Sequence, residues 1–272
     1  MRGVRAERRR RRLAAGVAAL ALAACGRTVD GAASLPCVTP ARPPEAQAVA
    51  RPPDADPAAV APHIPAAEIL AWRLGRVGAK TPGVPRVVFL GDSVTFGFGL
   101  TRGERPFPEL TAQRLADEGL PIEVVNAGLV GETTFTGRQR LAAIVALQPD
   151  VVVVELGGND FLLGLPLQGM ADNLRVLLRE ARAAGARVLL AGIRLPDAVG
   201  GTRRARDFQA IYADVANELD VPLLPDLFED ALLQPRFMLA DNIHPTAEGH
   251  RVLAFNLLPH LRAVLQALPV TR

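Results

Sequence analysis

From residue 86 onward, apolar runs of strand length alternate with longer stretches whose apolar residues recur at helical spacing. Residues 86–90, 122–126, 151–156 and 187–192 read as strands, with a weaker one at 222–224; helical stretches lie near 108–118, 134–147, 168–184, 203–219 and 246–267. Such alternation predicts an α/β domain built on a mostly parallel sheet. Val151, Val152, Val153 and Val154 make their strand apolar on both faces, as a central strand covered by helices on both sides must be. The expected architecture is a three-layer, doubly wound α/β/α sheet of about five parallel strands within 85–272. Those 188 residues suffice for one well-buried core.

Upstream the pattern changes. Residues 1–24 hold Arg2, Arg5 and five consecutive arginines at 8–12, then an apolar stretch of twelve residues that ends at Cys25. A basic segment followed by a short apolar one reads as an export signal. As a helix, the apolar stretch would reach about 18 Å, short of the roughly 30 Å of a bilayer's hydrocarbon core. Residues 25–84 are rich in Ala and Pro, which disfavours helix and strand and predicts an extended tether. Within it, 66–76 carries Ile69, Leu70, Trp72 and Leu74 and has the pattern of one short helix resting on the domain.

Net charge is +3, which taken alone would suggest a nucleic-acid partner. Residues 1–24, however, hold seven Arg against Glu7, a net +6, so the rest of the chain is net −3. The basic footprint of a nucleic-acid-binding domain is therefore absent from the part expected to fold. Cys25 and Cys37, the only cysteines, precede that part and make neither a zinc site nor a disulfide framework; Cys37 is left as an inert or crosslinking thiol.

Open α/β sheets place ligands beyond the carboxyl ends of their strands. Strand one runs into Gly91-Asp92-Ser93, strand two into Asn126-Ala127-Gly128, and strand three into Gly157-Gly158-Asn159-Asp160. A serine hydroxyl needs a base and an orienting carboxylate to become a nucleophile. Asp241-Asn242-Ile243-His244 supplies both, with a spacing that lets the carboxylate reach Nδ1 and leaves Nε2 free for the hydroxyl proton. An oxyanion forming at the attacked carbonyl needs donors aimed in advance; the candidates are the N–H groups of Ser93 and Gly128 and the side-chain amide of Asn159.

Together these segments resemble the SGNH (GDSL) hydrolases, in particular the thioesterase I/lysophospholipase and arylesterase branch. The similarity extends over about 86–261 and includes Ile193-Arg194-Leu195-Pro196. It implies a flavodoxin-like fold, a catalytic triad of Ser93, Asp241 and His244, and an oxyanion hole of Ser93, Gly128 and Asn159. It also implies a small acyl-ester or thioester substrate; since no cluster of ligands accompanies the triad in the sequence, no cofactor or metal is expected. Two positions depart from the branch: Asp197-Ala198-Val199-Gly200-Gly201 replaces a segment with a second proline and a tyrosine, and Phe107-Pro108 stands where Trp-Pro is usual. Separately, Leu22-Ala23-Ala24-Cys25 resembles a bacterial lipobox. That resemblance implies lipidation of Cys25, membrane attachment in the cell envelope and, with Gly26 next, outer-membrane sorting in a cell with two membranes. The arginine run is also compatible with twin-arginine export.

Other chemistries are disfavoured. Gly91-Asp92-Ser93-Val94-Thr95 lacks the second glycine of the α/β-hydrolase elbow. Lys80 is the only lysine, so no phosphate-binding Gly-x-x-x-x-Gly-Lys exists, and Gly97-Phe98-Gly99 lacks the third glycine of a dinucleotide site. His63, His250 and His260 show no metal-ligand spacing with His244. Phe96, Phe98, Phe135, Phe161, Leu162 and Leu163 near the expected site favour a long acyl chain. The alternatives are an O-acetyl esterase acting on envelope polysaccharide, or an inactive lipid- or glycan-binding module, which should lack a catalytic group.

Overall fold

Five apolar runs pair as one parallel sheet. The computed structural model describes residues 77–196 and 201–269. The chain divides into two units, Met1–Ala59 and Val60–Arg272, and every described residue belongs to the second. The export leader, Cys25, Cys37, His63, the tether up to residue 76 with its expected helix at 66–76, and loop residues 197–200 lie outside the described residues.

The strands are β1 (Arg86–Gly91), β2 (Glu123–Asn126), β3 (Val151–Glu155), β4 (Arg187–Ala191) and β5 (Leu223–Leu224), in the order β2-β1-β3-β4-β5. Every pairing is parallel; Phe89 lies opposite Asn126 on one side and Val153 on the other. All five residues of β3 are buried, as its unbroken valine run requires. Each buried valine contributes roughly 1.5–3 kcal/mol relative to an exposed one.

The helices are α1 (Ser93–Phe96), α2 (Phe107–Asp117), α3 (Thr134–Gln139), α4 (Leu141–Val145), α5 (Gly158–Leu162), α6 (Leu167–Ala183), α7 (Arg203–Leu219) and α8 (Ala247–Gln266). The connection through α2 moves from β1 to β2, whereas all later crossovers move the other way. Right-handed crossovers therefore put α2 on one face of the sheet and α6 and α7 on the other. Accordingly α8 packs on α2, while α6 packs on α3 and α7. The direction reverses between β1 and β3, and a crevice opens there at the carboxyl ends.

Three departures from the sequence expectation have physical causes. The stretch 134–147 is two helices, broken at Arg140, whose backbone leaves helical geometry (φ −104°, ψ 3°) as its side chain turns into the core. The single turns α1 and α5 are too short to show a helical period. Residues 77–84, assigned to the tether by composition, are tied to the domain: Val77 packs on the core, Lys80 pairs with Asp150 at 2.6 Å, and Arg86 donates to Gly78 O at 2.8 Å.

His250 on α8 is wholly buried, stacks on Phe107 and accepts the Phe107 N–H at Nδ1, 3.2 Å away. Burial pushes its pKa down from 6.5 to about 4, against the opposing pull of the Glu104 charge and with a further downward push from His244. Between those two values the unfolded chain binds the proton and the folded chain does not, so stability falls as pH drops through that window. The full effect is about 3 kcal/mol. Asp92 and Glu155 titrate in the opposite sense, because burial raises both carboxyls. The check is therefore a difference: His250→Gln, which keeps an acceptor for Phe107, should lose less Tm than wild type between pH 7 and pH 4.5. Equal losses would show that His250 does not stay neutral in the fold.

Candidate active site

Three strand ends and one late loop meet at the crevice. Ser93 is the first residue of α1, so its N–H has no intrahelical acceptor. Asp92 caps that turn, its Oδ1 accepting the Val94 N–H at 2.8 Å, and Gly97 closes it in the left-handed region at φ 86°. From below, Thr95 Oγ1 donates to Glu155 Oε2 at 2.7 Å. The nucleophile candidate thus sits on a turn held at both ends.

The base candidate comes from the other end of the sequence. His244 Nε2 lies 3.0 Å from Ser93 Oγ, and His244 Nδ1 lies 2.7 Å from Asp241 Oδ2. The same carboxylate accepts the N–H groups of Ile243 (2.9 Å) and His244 (3.0 Å) at Oδ1, so it shapes the loop that carries the imidazole. Leu239 N–H donates to His244 O at 2.8 Å, and Thr246 caps α8 immediately afterwards. Phe98 covers the imidazole, with ring centroids 4.5 Å apart. Burial alone would raise the Asp241 carboxyl; the bonds from the His244 ring and the two backbone N–H groups outweigh it and hold the pKa below the ordinary carboxylate value.

Asn159 lies on α5, and its amide is tied to the residue that precedes Ser93. Its Nδ2 donates to Asp92 Oδ2 (3.2 Å) and to Glu132 O (2.8 Å). Asp92 is pushed up to about 6, first by burial, with the Val94 N–H opposing. Asp160 beside it accepts both the N–H (2.8 Å) and Oγ1 (2.6 Å) of Thr134, fastening α5 to the start of α3.

Gly128 requires a correction. Its N–H is donated to Asn126 Oδ1 at 3.0 Å, and a Cβ there would collide with the backbone of Phe96. It is a packing glycine beneath α1, not a donor held ready for an oxyanion. The other glycine of that loop, Gly131, is exposed, has φ 78° and leaves open space where a Cβ would be. It directly precedes Glu132, whose carbonyl holds Asn159.

Sequence reasoning also missed Glu132, Arg140 and Glu155, all buried beneath the site. Two signals pointed to them. Arg140 lies three residues after Gly137 and four before Ile144, on the buried side of an amphipathic stretch, and Glu155 interrupts an otherwise apolar central strand. Of the aromatic and aliphatic residues expected at the site, Phe98, Phe135, Leu162 and Leu163 are exposed, whereas Phe161 is half-buried against Phe208, ring centroids 4.8 Å apart. A groove of about 720 Å³ elsewhere, lined by Arg114, Phe255 and Arg262 among others, includes none of Ser93, Asn159, Asp241 or His244.

Known proteins share this arrangement of sequence and fold. Over 180 residues the chain is 38% identical to the esterase TesA of Pseudomonas aeruginosa, covering 66% of this chain and 89% of that one. It is 39% identical over 169 residues to the thioesterase 1/protease 1/lysophospholipase L1 of Escherichia coli K12, covering 62% and 79%. A crystal structure of TesA superposes with a TM-score of 0.63 at 37% identity, over 66% of this chain and 99% of that one. Residues 89–252, which span the crevice from the end of β1 into α8, match the GDSL-like lipase/acylhydrolase family. The chain belongs to that family and is a hydrolase of the SGNH type.

Proposed function

We propose that this chain is an exported, lipid-anchored serine hydrolase that cleaves acyl esters or thioesters through an acyl-enzyme on Ser93. The observation that carries the reading is the unbroken relay from Ser93 Oγ through His244 to Asp241, with spacings of 3.0 and 2.7 Å. As Oγ bonds the acyl carbon, His244 Nε2 takes its proton and the carbonyl electrons move onto oxygen. Collapse expels an alkoxide or thiolate, which receives that proton, and the acyl group stays on Ser93. Water then adds by the same route, the carboxylic acid leaves and Ser93 is restored.

The oxyanion is met by the Ser93 N–H and the Asn159 amide. Of the two bonds Asn159 makes within the protein, the 3.2 Å bond to Asp92 is the longer and is the one an oxyanion displaces. We assign the third donor to Gly131, because Gly128 has given its N–H to Asn126. The exposed Phe98, Phe135, Leu162 and Leu163, on segments that follow β1, β2 and β3, favour an acyl chain longer than acetyl. The activities named for the relatives, esterase and thioesterase/lysophospholipase, support the same substrate class.

The test is hydrolysis of p-nitrophenyl esters from acetate to palmitate, with acyl-CoA and lysophospholipid alongside. The expected result is kcat/KM rising from acetate to medium or long chains. Turnover confined to acetate and acetylated sugar would favour the O-acetyl esterase reading; no turnover of any ester would favour a binding module.

For location, Cys25 behind its apolar run supports a lipoprotein of the bacterial cell envelope, facing the periplasm. Metabolic labelling with a clickable fatty acid should mark the wild-type chain and not Cys25→Ser. An unlabelled wild type would make the leader an ordinary secretory signal.

A further inference from the structure

Arg140 is a buried charged group outside the relay whose contacts all fall on the segments that carry the site. It is 2% exposed, and its guanidinium reaches the end of β1 and both ends of the 127–132 loop. Nη1 donates to Ala127 O at 2.5 Å, Nη2 donates to Gly91 O at 3.0 Å, and Nε contacts Glu132 Oε2 at 2.5 Å. Gly91 is the last residue of β1 and Ala127 the first beyond β2; Ser93 follows Gly91 by two residues. Glu132 is the residue whose carbonyl holds Asn159.

We propose that Arg140, paired with Glu132, is a positioning residue for the transition state: it fixes the Ser93 turn, the 127–132 loop and the Asn159 amide in one frame. The inference rests on the reading that Ser93 and Asn159 stabilise an oxyanion. A planar guanidinium can serve two carbonyls and a carboxylate at once, whereas an ammonium is a point charge. Stability does not explain the device. A buried ion pair seldom stabilises more than a well-packed apolar pair of similar volume, because both ions lose their water. What the pair supplies is direction. Oxyanion donors act only if they are in place before charge appears, and a misplacement of about 1 Å can lower a rate about a hundredfold.

The experiment compares Arg140→Lys and the charge-free double variant Arg140→Met/Glu132→Gln, each alone and combined with Asn159→Ala, with Asn159→Ala by itself as the reference. The double variant should keep a cooperative melt near the wild-type Tm, hold KM for a p-nitrophenyl ester within about twofold, and lose about ten- to a hundredfold in kcat. Arg140→Lys keeps the charge opposite Glu132 and should lose less. Adding Asn159→Ala to the double variant should lower kcat by clearly less than the product of the two separate losses, because part of what Arg140 does passes through the Asn159 hydrogen bond. A structural role would instead lower Tm and leave the effects additive. If the double variant fails to fold, Arg140→Lys decides by the same kcat and coupling measurements. Wild-type kcat in the folded variants, or full additivity with Asn159→Ala, overturns the proposal. A wild-type kcat for Asn159→Ala itself would overturn the oxyanion reading on which it rests, and the two failures are distinct.

Discussion

Ser93→Ala should lower kcat by about a millionfold, to the level left by binding and oxyanion donors alone. The fold should be unaffected. The cap of the α1 turn comes from Asp92 and Gly97, and the Ser93 hydroxyl bonds to His244 rather than to the scaffold. The variant should therefore melt within a few degrees of wild type, since the change removes one hydroxyl and its hydrogen bond to His244 but no cap or core volume, a loss of about 1 kcal/mol. Parallel measurement of kcat on a chromogenic ester and of Tm separates the two effects. An active Ser93→Ala protein would remove the acyl-enzyme from the mechanism; an inactive but unfolded one would show that Ser93 holds the turn.

Asp241→Asn should lower kcat by about ten-thousandfold. Asp241 uses one oxygen for two backbone N–H groups and the other for His244 Nδ1. An asparagine can keep the loop bonds only by turning its NH₂ toward Nδ1. The imidazole must then accept at Nδ1 and carry its proton on Nε2, where it can no longer take one from Ser93. The loop should survive, so KM and Tm should change little. A large fall in Tm with a modest fall in kcat would make Asp241 chiefly a loop residue.

These expectations were open to the sequence because the groups involved sit at places that local pattern marks. A continuous apolar run followed by Gly-Asp-Ser identifies a buried strand and the turn beyond it. Asp-x-x-His ahead of a helix with a Thr cap identifies a loop whose carboxylate can reach the ring. The frame beneath the site was hidden for the opposite reason. Arg140 joins Gly91, Ala127 and Glu132, which pair only after β1, β2 and the α3 corner have assembled, and no local spacing encodes that meeting. Gly128 and Gly131 illustrate the same limit. Both are glycines in one loop, and only the three-dimensional neighbours separate them: Phe96 packs against the first, and open space surrounds the second, to which we assign the donor role. The tether's end was misplaced because composition registers proline content and not the anchors that Lys80 and Arg86 make across 77–84.

The central claim is that Ser93 is the nucleophile. It is tested most directly by treating the protein with a p-nitrophenyl alkylphosphonate and locating the adduct by peptide mass spectrometry. The predicted result is one phosphonyl group per chain, carried by the peptide containing Ser93, with activity lost in proportion to labelling and no labelling of Ser93→Ala. An adduct on another residue, or full activity after stoichiometric labelling of Ser93, would contradict the account.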